Sequence, residues 1–190
     1  MIHNLRISVA FTALLGFALA GCTDLSDYDL ERVSDAISDS LLSVTETRNL
    51  QMDLIEDGLR IVSVTSPFAM TFSREGRSET ELKDSVHVAV MDSTGAVETS
   101  VISRSARYLS KSSEFHFMDD VLVQTRDGRT LRTDYLEWSQ RYRTIYSPDF
   151  VIIVTRDDSI TGYGLEGTDD LVNYQLTRVT GEFKLDQGDQ

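Results

Sequence analysis

Cysteine occurs once in this 190-residue chain, at Cys22, so no internal disulfide can form and stability must come from burial and hydrogen bonding. Proline occurs twice and tryptophan once. Basic residues are also scarce: 18 Lys and Arg stand against 31 Asp and Glu, a formal charge of −13, and no basic run gathers them. A chain this acidic is a poor partner for nucleic acid and is repelled by anionic membrane surfaces. Of three histidines, His3 lies in the leading segment, which leaves His87 and His116 as the imidazoles of the body. There is no Gly-x-Ser-x-Gly elbow, phosphate loop, His-Glu-x-x-His helix or EF-hand loop. Three acidic pairs, Asp119-Asp120, Asp157-Asp158 and Asp169-Asp170, have the chemistry for acid–base work or calcium. Each sits at a strand end or turn, where aspartate is favoured for local backbone hydrogen bonding. No catalytic residue, metal ligand or cofactor is assigned, and an enzyme is not expected.

What is present begins with a processing signal. Arg6 precedes an apolar run over 7–18, too short to span a bilayer comfortably, which ends in Leu19-Ala20-Gly21-Cys22. That tetrapeptide resembles a bacterial lipobox, at which Cys22 is lipidated and becomes the new N-terminus. Loss of 1–21 removes Arg6 and no acid, taking the charge from −13 to −14. Residues 23–29 read as a tether. Leu30, Val33, Ile37, Leu41 and Val44 then recur at helical spacing, with Ser26 or Asp27 to cap them, and predict a helix over 28–45. The domain reading is a signal peptide at 1–21, a lipidated tether and helix at 22–49, a β-domain at 50–185 and a tail at 186–190.

From Leu50 onward the pattern is β. In 119–138, Val121, Val123 and Thr125 alternate with Leu122 and Gln124, and Asp127-Gly128 signals a tight hairpin of type I′. Leu131 and Thr133 resume the alternation, which changes phase before Leu136 and Trp138. Weaker copies surround Asp57-Gly58 and the turn at 92–95, so three strand–turn–strand units follow one another about every 35 residues. Short apolar runs at 59–64, 86–90, 97–102, 115–117, 121–125, 145–146, 151–155 and 171–176 predict an antiparallel sandwich or jelly roll. No second helical pattern is available for βαβ crossovers. His87 and His116 each fall between two residues of the apolar face and therefore point the other way.

The order of these features is similar to that of the LptC family, the periplasmic component of the lipopolysaccharide export transporter, and to its lipoprotein-type members above all. The resemblance runs over about 50–183. It is most specific across 117–138, with Asp120-Val121, the Asp127-Gly128 turn and Leu131-x-Thr133-Asp134-x-Leu136-x-Trp138. It continues through Ile145-Tyr146-Ser147, Gly162-x-Gly164-Leu165, Asp169-Asp170-Leu171-x-x-Tyr174 and Val179-x-Gly181. One departure is the exchange of an uncleaved transmembrane helix for lipid on Cys22. Another is Thr23 where the best-known inner-membrane retention signal has aspartate.

The resemblance implies a twisted, partly open antiparallel β-jelly roll built of repeated hairpins, preceded by a short helix, whose interior groove carries lipid acyl chains. Groove candidates are Val86, Val88, Val90, Phe115, Phe117, Val121, Val123, Leu136, Trp138, Val151 and Ile153. The resemblance also implies two partner edges. Leu50 and Leu54 lie at the edge that receives lipopolysaccharide from the periplasmic domains of an inner-membrane ABC transporter. Gly162, Gly164, Leu171, Tyr174 and Leu176 lie at the edge that passes it to a bridge protein of the LptA/OstA type. Location is expected on the periplasmic face of the inner membrane, by lipid anchor, with the outer membrane as the other possibility. The alternatives are a structural or adhesive envelope lipoprotein with a closed β-sandwich, and a calcium-dependent or hydrolytic surface protein using Asp169 or His116.

Overall fold

A computed structural model describes residues 43–74 and 76–184. Eleven strands follow one another without a helix among the described residues: β1 (Ser43–Glu56), β2 (Leu59–Arg74), β3 (Arg77–Lys83), β4 (Val86–Met91), β5 (Val97–Ser103), β6 (Ser105–Leu109), β7 (Glu114–Thr125), β8 (Thr130–Ser139), β9 (Thr144–Val154), β10 (Asp158–Thr168) and β11 (Tyr174–Lys184). All pairings are antiparallel. The expected helix over 28–45 lies outside the described residues except for Ser43, Val44 and Thr45. Those three belong to β1, where they pair with Ser73, Phe72 and Thr71.

The registers reduce this inventory to a simple plan. The first half of β2, 62–65, pairs with β4, and its second half, 68–74, pairs with β3. Likewise β7 pairs with β6 through 114–118 and with β5 through 122–125. β3 with β4, and β5 with β6, therefore act as single long strands interrupted in the middle. The described residues form an up-and-down meander of long strands, bent across one seam, so that two leaves fold face to face into a partly open jelly roll.

The seam is written in backbone chemistry. Positive φ occurs there at Asn49, Asp84, Ser85, Asp119, Asp120 and Gly164. The chain's two prolines, Pro67 and Pro148, both fall in the unpaired gaps of their ladders, where a missing N–H costs no hydrogen bond. Asp119-Asp120 is therefore a bend within β7, with Asp120 paired to Arg104, rather than the end of a strand. The phase change read between Thr133 and Leu136 is this bend in β8, and it keeps Leu131, Thr133, Leu136 and Trp138 all buried.

Turn chemistry corrects one detail. Gly128 alone has positive φ in the Asp127-Gly128 hairpin, Gly128 N donates to Thr125 O at 3.0 Å, and Thr125 N donates to Arg129 O at 2.9 Å. This is a type I turn followed by a left-handed glycine rather than type I′. The two-residue type I′ geometry, with positive φ at both positions, occurs instead at Asp57-Gly58.

Candidate functional site

The interior is assembled from alternate residues of both leaves. Val86, Val88 and Val90 project inward from β4, Val121 and Val123 from one half of β7, Phe115 and Phe117 from the other, Leu136 and Trp138 from β8, and Val151 and Ile153 from β9. All eleven groove candidates join one cluster and none is more than 6% exposed. Phe115 is its aromatic centre, with ring centroids 4.5 Å from Tyr108, 5.8 Å from Phe117 and 5.4 Å from Trp138. Stacking at these distances adds to the burial of large apolar area. The middle of the jelly roll is thus closely packed.

At both ends of the sheet the same inner face opens. Among the described residues β1 pairs only with β2, and β11 only with β10, so each leaves one row of backbone donors and acceptors without a strand partner there. Leu50 and Leu54 sit on β1, opposite Ser66 and Val62, and with Met52 they are half-buried against the cluster. On β11, Tyr174 and Leu176 are half-buried in the same way, while Val179, opposite inward-facing Gly162, is 54% exposed. Leu171 does not belong to a strand: it is buried in the β10–β11 turn at φ 55°.

Gly162 and Gly164 occupy the penultimate strand, where the β10 ladders shift register on both sides. A Cβ on Gly162 would stand 2.4 Å from Arg178 O, and one on Gly164, at φ 71°, 2.6 Å from Thr177 Oγ1. The glycines allow β11 to lie closer to β10 than side chains permit.

A polar cluster joins the rims of the two leaves opposite the seam. Asp169, 4% exposed, opens the β10–β11 turn and accepts hydrogen bonds from Trp138 Nε1 at 3.1 Å, Arg143 Nε at 3.2 Å and Arg143 Nη2 at 3.1 Å. Arg143, in the β8–β9 turn, also reaches Glu98 of β5 at 2.7 Å. Thr99 Oγ1 donates to Asp169 O at 3.4 Å, and Arg129 Nη1 to Asp170 O at 3.4 Å. Hydrogen bonds to Asp169 and then Glu98 hold the Arg143 guanidinium above its ordinary pKa, so it stays charged. Nothing in the sequence singled out Arg143 or Glu98. The Asp169-Asp170 pair was visible as turn chemistry, as part of the family motif and as the acid of the calcium-dependent or hydrolytic alternative, but not as the centre of a rim cluster.

His87 and His116 lie on the outer face, as their alternation required. His87 Nε2 meets Ser85 Oγ at 3.2 Å, and His116 Nδ1 meets the Tyr135 hydroxyl at 2.9 Å, which itself donates to Glu137 at 2.7 Å. Burial first, and Glu137 second, raise the Tyr135 pKa well above its usual value. Neither histidine is brought to Asp169 or to any other acidic pair in the contacts of the described residues.

These observations define a partly open antiparallel β-jelly roll whose apolar inner face runs out onto edge strands, each paired on one side, at both ends. The family model of lipopolysaccharide-assembly, LptC-related proteins matches residues 9–183, and the chain belongs to the LptC family. No curated protein matches it significantly. Membership gives it a role in lipopolysaccharide transport together with partners of the Lpt complex. Proteins of the family are periplasmic and associated with the inner membrane, and the family is a transport component not known as an enzyme. Among the described residues no helix is long and apolar enough to cross a membrane. The apolar run at 7–18 and Cys22 lie outside them.

Proposed function

We propose that the jelly roll carries lipopolysaccharide with its acyl chains between the leaves and its phosphorylated sugars in water. The β1 edge receives lipid from the periplasmic domains of the ABC transporter, and the β11 edge passes it to an LptA/OstA-type bridge protein. Lipid on Cys22 holds the carrier at the periplasmic face of the inner membrane. The observation that supports this reading is the continuity of the inner apolar face onto both unpaired edges, from Leu54 and Met52 at one end to Leu176 and Val179 at the other. An added strand on either edge would extend the groove as well as the ladder. Burying one acyl chain of about a dozen carbons yields about 10 kcal/mol gross at ~0.8 per methylene, so no cationic site is needed to hold it. That suits a protein whose charge repels phosphate.

The packed middle, with eleven candidates at 6% exposure or less, favours a second reading: a structural envelope protein with a permanently closed core. A photocrosslinking residue in living cells separates the two. Placed at Leu54, Val123 or Leu176 it should label lipopolysaccharide, whereas at outward Gln51 or Gln175 it should not. Absence of label at all three inward positions would refute the carrier reading.

A further inference from the structure

The rim cluster stands in the middle of the track that the proposed carrier function requires, and any role for it in transport rests on that function. Three rim contacts tie the leaves together: Arg143 to Glu98 at 2.7 Å, Thr99 to the Asp169 carbonyl and Arg129 to the Asp170 carbonyl. On the β1 side of these contacts a cavity of about 160 Å³ is walled by Ile61, Met91, Trp138, Gln140 and Arg143. On the β11 side a cavity of about 400 Å³ is walled by Arg129, Arg156, Leu171, Val172 and Tyr174. Two clefts open on the rims, and the clasp separates them. A lipid whose chains lie inside and whose sugars lie outside cannot move from the first cleft to the second while the rims touch, because its headgroup would have to pass through the contact.

We propose that Arg143, Asp169 and Glu98 form a gate that closes the groove between its receiving and delivering ends. For lipid to pass, Arg143 must leave Glu98, and the two longer contacts, from Thr99 and Arg129 to the Asp169 and Asp170 carbonyls at 3.4 Å, must part with it. The asymmetry of the cluster fits this use. Asp169 is buried and held by Trp138 as well as by Arg143, so that half stays in place. The Arg143–Glu98 half is partly exposed, with side chains 51% and 33% accessible, and is the weaker joint. Opening it leaves neither partner charge in a dry environment, because each turns to water, whereas opening the Asp169 half would strand a buried carboxylate.

The test uses the full chain with Cys22 kept, because its lipidated sulfur is blocked and no other cysteine is present, so that introduced thiols are the only free ones. Glu98→Cys and Arg143→Cys are joined by a short bis-maleimide with a reducible disulfide at its centre, and photocrosslinkers at Leu54 and Leu176 report lipopolysaccharide on either side. The locked protein is expected to label from Leu54 and to lose label from Leu176. Reduction restores the label at Leu176 and shows that the fold survived. Equal labelling at Leu176 in locked and reduced protein overturns the gate. Absence of label at both positions in reduced protein overturns the carrier reading and the gate with it, a different pattern. Glu98→Lys sets two cations together while leaving Arg143–Asp169 untouched, and should raise label at Leu176 above the unsubstituted protein. No rise there overturns the role given to Glu98.

Discussion

Gly162→Ala tests the architecture at its delivering edge. The new Cβ would lie 2.4 Å from Arg178 O, 2.9 Å from Leu176 Cδ1 and 3.2 Å from the Arg178 carbonyl carbon. Real Cβ atoms essentially never come within 3.0 Å of another heavy atom, so β11 must withdraw by at least 0.6 Å. The nearest obstacle is backbone in a paired strand, which no rotamer change can move aside. Overpacking of this kind costs about 1–3 kcal/mol, and the rigidity of the obstacle argues for the upper half. Two outcomes are physically distinct. If β11 shifts but stays paired, the urea midpoint falls at constant slope; if β11 detaches, the slope also falls, because less surface remains to be exposed on unfolding. Trp138, the only tryptophan and 3% exposed, reports global unfolding by fluorescence. Hydrogen exchange over 174–184 reports the edge. A change below about 0.5 kcal/mol, the range of ordinary surface substitutions, with unaltered protection of 174–184 would refute the close-approach argument.

Gly128→Ala meets nothing within 4 Å but is held at φ 88°, so its cost is conformational. A loss of about 1 kcal/mol is expected by urea unfolding, largely recovered in Gly128→Asn, because asparagine tolerates the left-handed region. Trp138→Phe keeps a ring against Phe115 but removes the donor to Asp169. Loss of one hydrogen bond to a charged group predicts about 1.5–3 kcal/mol, measured by far-UV circular dichroism since the fluorophore is gone. Acid should destabilise the fold through the turn aspartates. Asp92 is held below its ordinary pKa by hydrogen bonds from Thr94 and Arg126, and Asp127 by one from Thr125. Asp170 is also lowered: burial works against it, but hydrogen bonds from Thr168 and Val172 prevail. A depressed folded pKa means stability that is complete above the unfolded value, about 4, and is lost as pH falls through the folded values. The urea midpoint should therefore drop between about pH 5 and pH 2, less steeply in Asp92→Asn.

Much of the fold was legible because period-2 alternation is a local signal. Val121, Val123, Leu131, Leu136 and Trp138 were readable as one buried face, including the phase change at the seam, and the glycine-marked hairpins were placed correctly. Polar strands were not readable: β3, Arg-Ser-Glu-Thr-Glu-Leu-Lys, and β6, Ser-Ala-Arg-Tyr-Leu, carry few apolar residues and are strands because β2 and β7 extend past the seam and need partners. Residues 43–45 continued a helical period by chance and became strand by pairing with β2, an interaction invisible to local pattern.

The amino-acid sequence by itself determined an acidic chain with one cysteine and a run of antiparallel hairpins with an apolar inner face, because those properties depend on composition and on spacing within one strand, while the edges near its two ends came from the resemblance to the LptC family. The family was legible for the same reason. Tertiary structure alone decided that the long strands bend, that the two leaves pack into a closed middle with open ends, and that Arg143 meets Glu98 and Asp169, respectively 45 and 26 residues away in the chain. Such contacts depend on the register of strands distant in sequence, and no local period encodes which rim turn will face which.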